Sequence, residues 1–265
     1  MVAPVKWPAS LRVASLLLAG SLIAGGARSG ETRCWFENGA LVVPAAFGDI
    51  AGDFILDLSA PVSQLHVTRA QSQGIGAYQA RADLALAGER IGGFSMTVAD
   101  LDARSKGFTT NIAGVLGADA LATFVADIDF APCEVRLSRR PGGARAGSVR
   151  LQVGTIAGVP TVAAAISDGV TSRAGAFTID TGSAATRIAR AALSRVPHPG
   201  ADPLVRLRAI AIAGRLFEQT PAGLAPDAPA GLSGSIGTAV WSRFHMRLSV
   251  RRGWLELGPA SGQAP

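Results

Sequence analysis

Two stretches of this chain carry the same punctuation. Gly114-Val115-Leu116-Gly117 is followed by Phe124, and Gly234-Ser235-Ile236-Gly237 by Phe244, at equal spacing and without a gap. The register continues to Leu137 and Leu257, which close the alternating runs Glu134-Val135-Arg136-Leu137 and Trp254-Leu255-Glu256-Leu257. Upstream, Phe54-Ile55-Leu56-Asp57-Leu58-Ser59-Ala60 is matched by Phe177-Thr178-Ile179-Asp180-Thr181-Gly182-Ser183. Asp57 stands 60 residues before Gly117, and Asp180 stands 57 before Gly237. Two landmarks recurring in the same order predict one fold used twice by duplication. The first copy spans 34–138 and the second 149–258, joined by a polar, Gly-rich linker over 139–148.

Within each copy the apolar residues alternate as in strands. Leu84, Leu86, Ile91, Phe94, Met96 and Val98 flank a turn at Gly88-Glu89, and 204–212 turns at Ala213-Gly214 to return through Leu216-Phe217. Only 118–125, 189–195 and 239–244 have helical character. The fold class expected is all-β, mainly strand with short helices, in two homologous lobes that form a central cleft. Composition agrees: 48% hydrophobic residues exclude disorder, while 32 Gly and 15 Pro demand frequent turns. The net charge of +6 raises nucleic acid as a partner. Its arginines are scattered apart from Arg139, Arg140, Arg145 and Arg150, and a single Tyr gives no aromatic–basic interleaving, so no nucleic-acid partner is expected.

The chain opens with Lys6 and Arg12, an apolar run from Val13 to Ala24, and the small residues Gly25, Gly26 and Ala27. The run is short for a membrane span and suits a signal peptide over 1–27, cleaved near Ala27 or Ser29. Export to the periplasm or the exterior follows, with membrane attachment only if the segment stays uncleaved. Cys34 and Cys133 are then a candidate disulfide, the alternative being two buried thiols.

Asp180-Thr181-Gly182-Ser183 directly follows the apolar run Ala176-Phe177-Thr178-Ile179. This resembles the active-site motif of aspartic proteases, pepsin-like and retropepsin-like alike. Val115-Leu116-Gly117 and Ser235-Ile236-Gly237 look like that superfamily's second landmark. The resemblance covers about 40–258 and is to an exported, two-lobed bacterial type with a degenerate first motif. It implies an aspartic endopeptidase with Asp57 and Asp180 as catalytic dyad and no cofactor or metal. The implied partner is an extended peptide or unfolded protein. One chain supplying both lobes implies a monomer.

The chemistry explains the residue types. A water held between two carboxylates attacks the peptide carbonyl, one acid ionised to take its proton and the other protonated. Like charges so close do not both ionise, so the pair shares a proton. The resemblance further implies that Thr181 cross-bonds the two active-site loops and that Gly182 lets backbone N–H groups approach a carboxylate. The first copy departs from this. Leu58 has no hydroxyl, which removes half of the cross-bond, and Ser59 puts a Cβ where Gly is expected while offering a hydroxyl to a carboxylate. The alternative function is a catalytically impaired peptide-binding protein of the cell envelope. A flap over the cleft is also implied, and Gly74, Ile75, Gly76 and Tyr78 are the candidates, with an ordinary surface turn as the alternative.

Other chemistries find no support. Gly74-Ile75-Gly76 lacks the third Gly and the helix of a nucleotide loop, and Gly231-Leu232-Ser233-Gly234-Ser235 falls one Gly short of a serine-hydrolase elbow. His66, His198 and His245 have no counterparts in the other copy and are expected as surface or packed imidazoles. No His-Glu-x-x-His zinc motif occurs. Asp53, Asp119, Asp127 and Asp129 are expected in solvated or capping roles near strand ends.

Overall fold

A computed structural model describes residues 30–193, 204–225 and 228–260. The expected signal segment 1–27 and its cleavage point lie outside the described residues, as does His198. Among the described residues no helix is long and apolar enough to cross a membrane.

The first half runs β1 (Gly30–Arg33), β2 (Trp35–Glu37), β3 (Ala40–Phe47), β4 (Ile50–Leu56), β5 (Gln64–His66) and helix α1 (Val67–Ser72). It continues through β6 (Gln79–Leu86), β7 (Glu89–Ala99), the one-turn helix α2 (Asp102–Ser105), β8 (Ile112–Leu116), β9 (Val125–Phe130) and β10 (Cys133–Ser138). The second half runs β11 (Val149–Ile156), β12 (Val159–Ser167), β13 (Ser172–Ile179), β14 (Thr186–Ala189), β15 (Leu204–Ile212) and β16 (Arg215–Ala225). It ends in β17 (Leu232–Ile236), the one-turn helix α3 (Thr238–Trp241), β18 (Phe244–Ser249) and β19 (Trp254–Pro259). The structure is mainly β.

Pairing closes each half on itself in the same order. In the first half β3-β4-β8-β5-β7-β6 returns to β3, and in the second β12-β13-β17-β14-β16-β15 returns to β12. Between these two barrel-like units, β1-β10-β9-β18-β19-β11 form a shared sheet, with β9 against β18 at the seam. Closure removes the exposed edges that open sheets must otherwise protect. The hydrophobic core is continuous, from Leu41, Phe54 and Leu56 through Phe124 to Phe177 and Trp241.

The repeated sequence landmarks are the residues that make this topology possible. β8 lies parallel to β4 with Phe54 beside Gly114 and Leu56 beside Leu116, and β17 lies parallel to β13 with Phe177 beside Gly234 and Ile179 beside Ile236. Both pairs carry a register shift at the residue just before the Phe. A third strand then crosses against each: β5 over β8 and β14 over β17. A Cβ on Gly114 would sit 2.3 Å from the Gln64 carbonyl oxygen, and one on Gly234 would sit 2.0 Å from that of Arg187. Glycine is there because the crossing strand leaves no room for a side chain.

Three expected helices are shorter than read. 118–125 yields a 3₁₀ turn over Ala118–Leu121, 189–195 one over Arg190–Ala192, and 239–244 only α3. Strand pairing takes Val125 into β9, Ala189 into β14 and Phe244 into β18, while residues 194 and 195 lie outside the described residues. The first hairpin turns at Ala87-Gly88 (φ 48° and 74°), one residue earlier than expected, because Gly88 takes the left-handed conformation. The Ala213-Gly214 turn falls where expected.

Candidate active site

Each of the two aspartate-bearing loops begins where a central strand ends. The Asp57 N–H donates to the Leu116 carbonyl (2.9 Å), and the Asp180 N–H donates to the Ile236 carbonyl (3.0 Å). The two aspartates therefore leave equivalent strands at equivalent points, and both are buried, 3% and 6% exposed. The loops meet. A Cβ on Gly182 would sit 2.5 Å from Asp57 Cγ, so the second loop's backbone packs directly on the first loop's carboxylate.

Two turns lock the halves around this point. The turn at Asn38-Gly39 packs on Ala184, four residues after Asp180. The turn at Ala157-Gly158 packs on Pro61, four residues after Asp57. The ideal Cβ positions of Gly39 and Gly158 fall 2.4 Å and 3.1 Å from the Cβ atoms of Ala184 and Pro61.

Thr181 is fully buried, and its hydroxyl joins the loops in both directions. It donates to the Leu56 carbonyl (2.7 Å) and accepts from the Leu58 N–H (3.0 Å). The Thr181 carbonyl also accepts from the Leu41 N–H (2.9 Å). Leu58 has no reciprocal bond to give and is fully buried in the core instead. The loops are thus joined from one side by polar contacts and packed from the other.

The two carboxylates are held by different donors. Asp180 accepts from the Gly182 N–H at Oδ1 (3.0 Å) and from the Ser183 hydroxyl at Oδ2 (2.9 Å). Asp57 accepts at Oδ1 from the Ser59 N–H (2.8 Å) and the Ser59 hydroxyl (2.6 Å). Ala60 stands where the second loop has Ser183 and has no hydroxyl. Arg104 of α2 fills that place, its guanidinium donating to Asp57 Oδ2. Burial first, and then the Asp57 charge, push the Asp180 carboxyl up to about 6, against the opposing pull of its own hydrogen bonds and of Arg104.

Beside Asp180 lies a cavity of about 520 Å³. Ser59, Arg104, Ser183 and Arg187 give it a polar side, while Val159, Leu224 and Leu232 give it an apolar one. The segment expected as a flap lies elsewhere. Gly74, Ile75, Gly76 and Tyr78 occupy a six-residue connection from α1 to β6, and none of them lines this cavity. Ile75 borders a different depression with Phe47–Ile50, and Tyr78 is 76% exposed. Because β6 pairs with β7 from its first residue, Gln79 opposite Thr97, the six-residue connection has no length for a hairpin of its own. The element that covers Asp57 is the connection carrying α2, tied down by Thr109 and Thr110 donating to Glu37 and by Asn38 Nδ2 donating to the Lys106 carbonyl. Those bonds hold the exposed Glu37 carboxyl down to about 2, the Thr110 bond contributing most.

Arg104 and Arg187 were not legible from the duplication, which matches only the loops that carry the aspartates. The one available signal was Ala60, which leaves Asp57 short of a donor relative to Asp180.

Comparison with known proteins follows from this geometry. No protein-family model matches the chain, and no curated protein matches it in sequence. In structure it is similar to the aspartic proteinase from Irpex lacteus, with a TM-score of 0.58, 12% identity, and coverage of 88% of this chain and 98% of that one. The fold is that of an aspartic proteinase. At that identity the likeness concerns the fold alone.

The remaining candidates sit away from the dyad. Cys34 and Cys133 form a disulfide, in keeping with a non-cytoplasmic compartment. Asp119 is a structural bracket, accepting from the Ser63 N–H (2.9 Å) and hydroxyl (2.6 Å). His66 is buried beside Asp102 (3.2 Å). His245, Asp127 and Asp129 bring ligating atoms within 4.8 Å of one another at the β9–β18 seam. They are neither solvated nor simple caps, because Arg247 reaches Asp127 (3.6 Å) while Arg136 and Arg145 reach Asp129 (3.6 and 3.7 Å). Burial alone would raise the Asp127 carboxyl, but the hydrogen bond and charge of His245, with Arg145 and Arg247, hold it below its ordinary value. With three guanidinium groups already in place, the cluster is a salt-bridge network and not a cation site.

Proposed function

We propose that this chain is an aspartic-type endopeptidase in which Asp57 and Asp180 activate one water between them. The observation that carries this reading is the pairing itself. Two buried carboxylates leave equivalent strands at equivalent points, and the backbone of the second loop at Gly182 packs directly on the carboxylate of the first. Below about pH 6 Asp180 holds the shared proton. Water then attacks the peptide carbonyl carbon, giving a proton to Asp57, while Asp180 gives its proton to the carbonyl oxygen. The tetrahedral diol collapses with its proton returned to Asp180, the C–N bond breaks, and the departing amine takes the proton held on Asp57. The site ends as it began.

An extended peptide suits an open cleft between two barrels, where backbone hydrogen bonding holds a strand-like substrate. The matched strand orders support an origin by duplication, with lobes at 34–138 and 149–258 and a linker at 139–148. Both lobes coming from one chain fits a monomer. The disulfide supports export to the periplasm or exterior, and the apolar segment before Ala27 is the proposed signal.

The purified protein is expected to cleave an unfolded protein substrate at pH values below about 6, with turnover falling as Asp180 ionises. Asp180→Asn is expected to abolish it, read by gel and by mass of the fragments. Equal cleavage by the variant would remove the dyad from the mechanism. Peptide binding with no turnover from pH 3 to 8 would select the binding-only reading.

A further inference from the structure

The cavity beside Asp180 contains a cation that the hydrolytic mechanism does not use. Arg187 projects from β14 into its lining, its Cγ 3.9 Å from where a Cβ on Gly223 would stand. The residue is exposed, and among the described residues no carboxylate or carbonyl pairs with its guanidinium. Arg104, the other cation of the lining, is already committed to Asp57. Among the described residues of the lining Asp180 is the only acid. Among them, Arg104 has a carboxylate partner and Arg187 has none.

The walls of the cavity make that charge selective. Val159, Leu224 and Leu232 line the same cavity as Arg187, so a group entering it meets an apolar wall as well as the cation. A carboxylate on a short methylene stem satisfies both surfaces, with its stem on the apolar wall and its oxygens on the planar fork of the arginine. A lysine or arginine side chain would meet Arg187 as a like charge.

We propose that Arg187 is the specificity determinant of a carboxylate-accepting subsite next to the scissile bond. The substrate class is peptides carrying Asp or Glu there, or ending there in a free carboxylate. The inference rests on the endopeptidase reading for its catalytic consequence, though not for binding.

The test uses the full chain and fluorescent peptides identical except at one position (Glu, Gln, Leu or Lys), scanned across the sequence. A second set carries a free or an amidated C-terminus. Binding by anisotropy and turnover are measured separately, on wild type, Arg187→Ala and Arg187→Glu. Peptides with Glu at one position are expected to bind and turn over about tenfold to a hundredfold better than their Gln partners in wild type. In Arg187→Ala that preference disappears, with Glu and Gln peptides handled alike. Arg187→Glu is expected to favour Lys. If amidation, and not an internal Glu, governs the effect, the carboxylate source is the chain terminus. Equal handling of Glu and Gln, or a Glu preference that survives in Arg187→Ala, overturns the proposal. Binding preference without turnover would leave it standing and overturn the endopeptidase reading alone.

Discussion

Asp180 is the residue at which folding answers to a single proton. Its carboxyl is raised from 3.8 to about 6, so the folded chain holds that proton more tightly than the unfolded chain does. The stabilisation is complete below about pH 4 and is lost as pH rises through about 6. Above that, the ionised buried carboxylate costs on the order of 2–3 kcal/mol. Asp180→Asn is isosteric and stays neutral. It is expected to match wild type in urea denaturation at pH 4 and exceed it at pH 7 by an amount of that order. A variant less stable than wild type at pH 7 would contradict the raised carboxyl. The Asp-Thr-Gly-Ser string made Asp180 legible in the sequence, and its repeat position made Asp57 legible. The donors on Asp57 were not legible, because Arg104 reaches it from 47 residues away. Local sequence names the acids, and tertiary packing chooses their partners.

At the scale of single elements, the repeated glycines carry the most information. Gly114 and Gly234 lie where one strand passes over another, so a side chain there displaces backbone instead of meeting solvent. That constraint acts on the sequence position by position, which is why the repeated landmark is legible without coordinates. The flap segment obeys no such constraint. Gly74 and Gly76 have open space where a Cβ would go, and sequence alone does not tell a permissive turn from a functional one. The contrast is testable. Gly114→Ala puts a Cβ 2.3 Å from the Gln64 carbonyl oxygen and 2.8 Å from the Phe54 ring. It is expected to destabilise by about 3 kcal/mol or to prevent folding. Gly76→Ala, into open space, is expected to leave the urea midpoint unchanged within about 0.5 kcal/mol. Equal effects from the two changes would mean that strand crossing does not explain the landmark.

For the whole molecule, a six-stranded sheet lies between the two barrels and continues into the second through the pairing of β11 with β12, and the disulfide is anchored in it. Cys133 begins β10 in that sheet, and Cys34 lies between β1, which pairs with β10, and β2, which enters the first barrel. The bond therefore ties the outer edge of the shared sheet to the start of a barrel across 99 residues. In the chain-entropy account, closing a loop of that size stabilises by about 4–5 kcal/mol. The seam between β9 and β18 joins the halves through strand pairing and through His245 and Arg247 of β18 reaching Asp127 of β9. The double variant Cys34→Ser, Cys133→Ser is expected to lose about 4 kcal/mol. Wild type under a strong thiol reductant should show the same loss, and the Asp180→Asn stability gain should persist in both backgrounds, since the two sites share no partner. Circular dichroism melts of the four proteins with and without reductant give the comparison directly. An unchanged midpoint on reduction would mean that the shared sheet holds without its covalent tie, and would remove the strongest physical argument for an oxidising compartment.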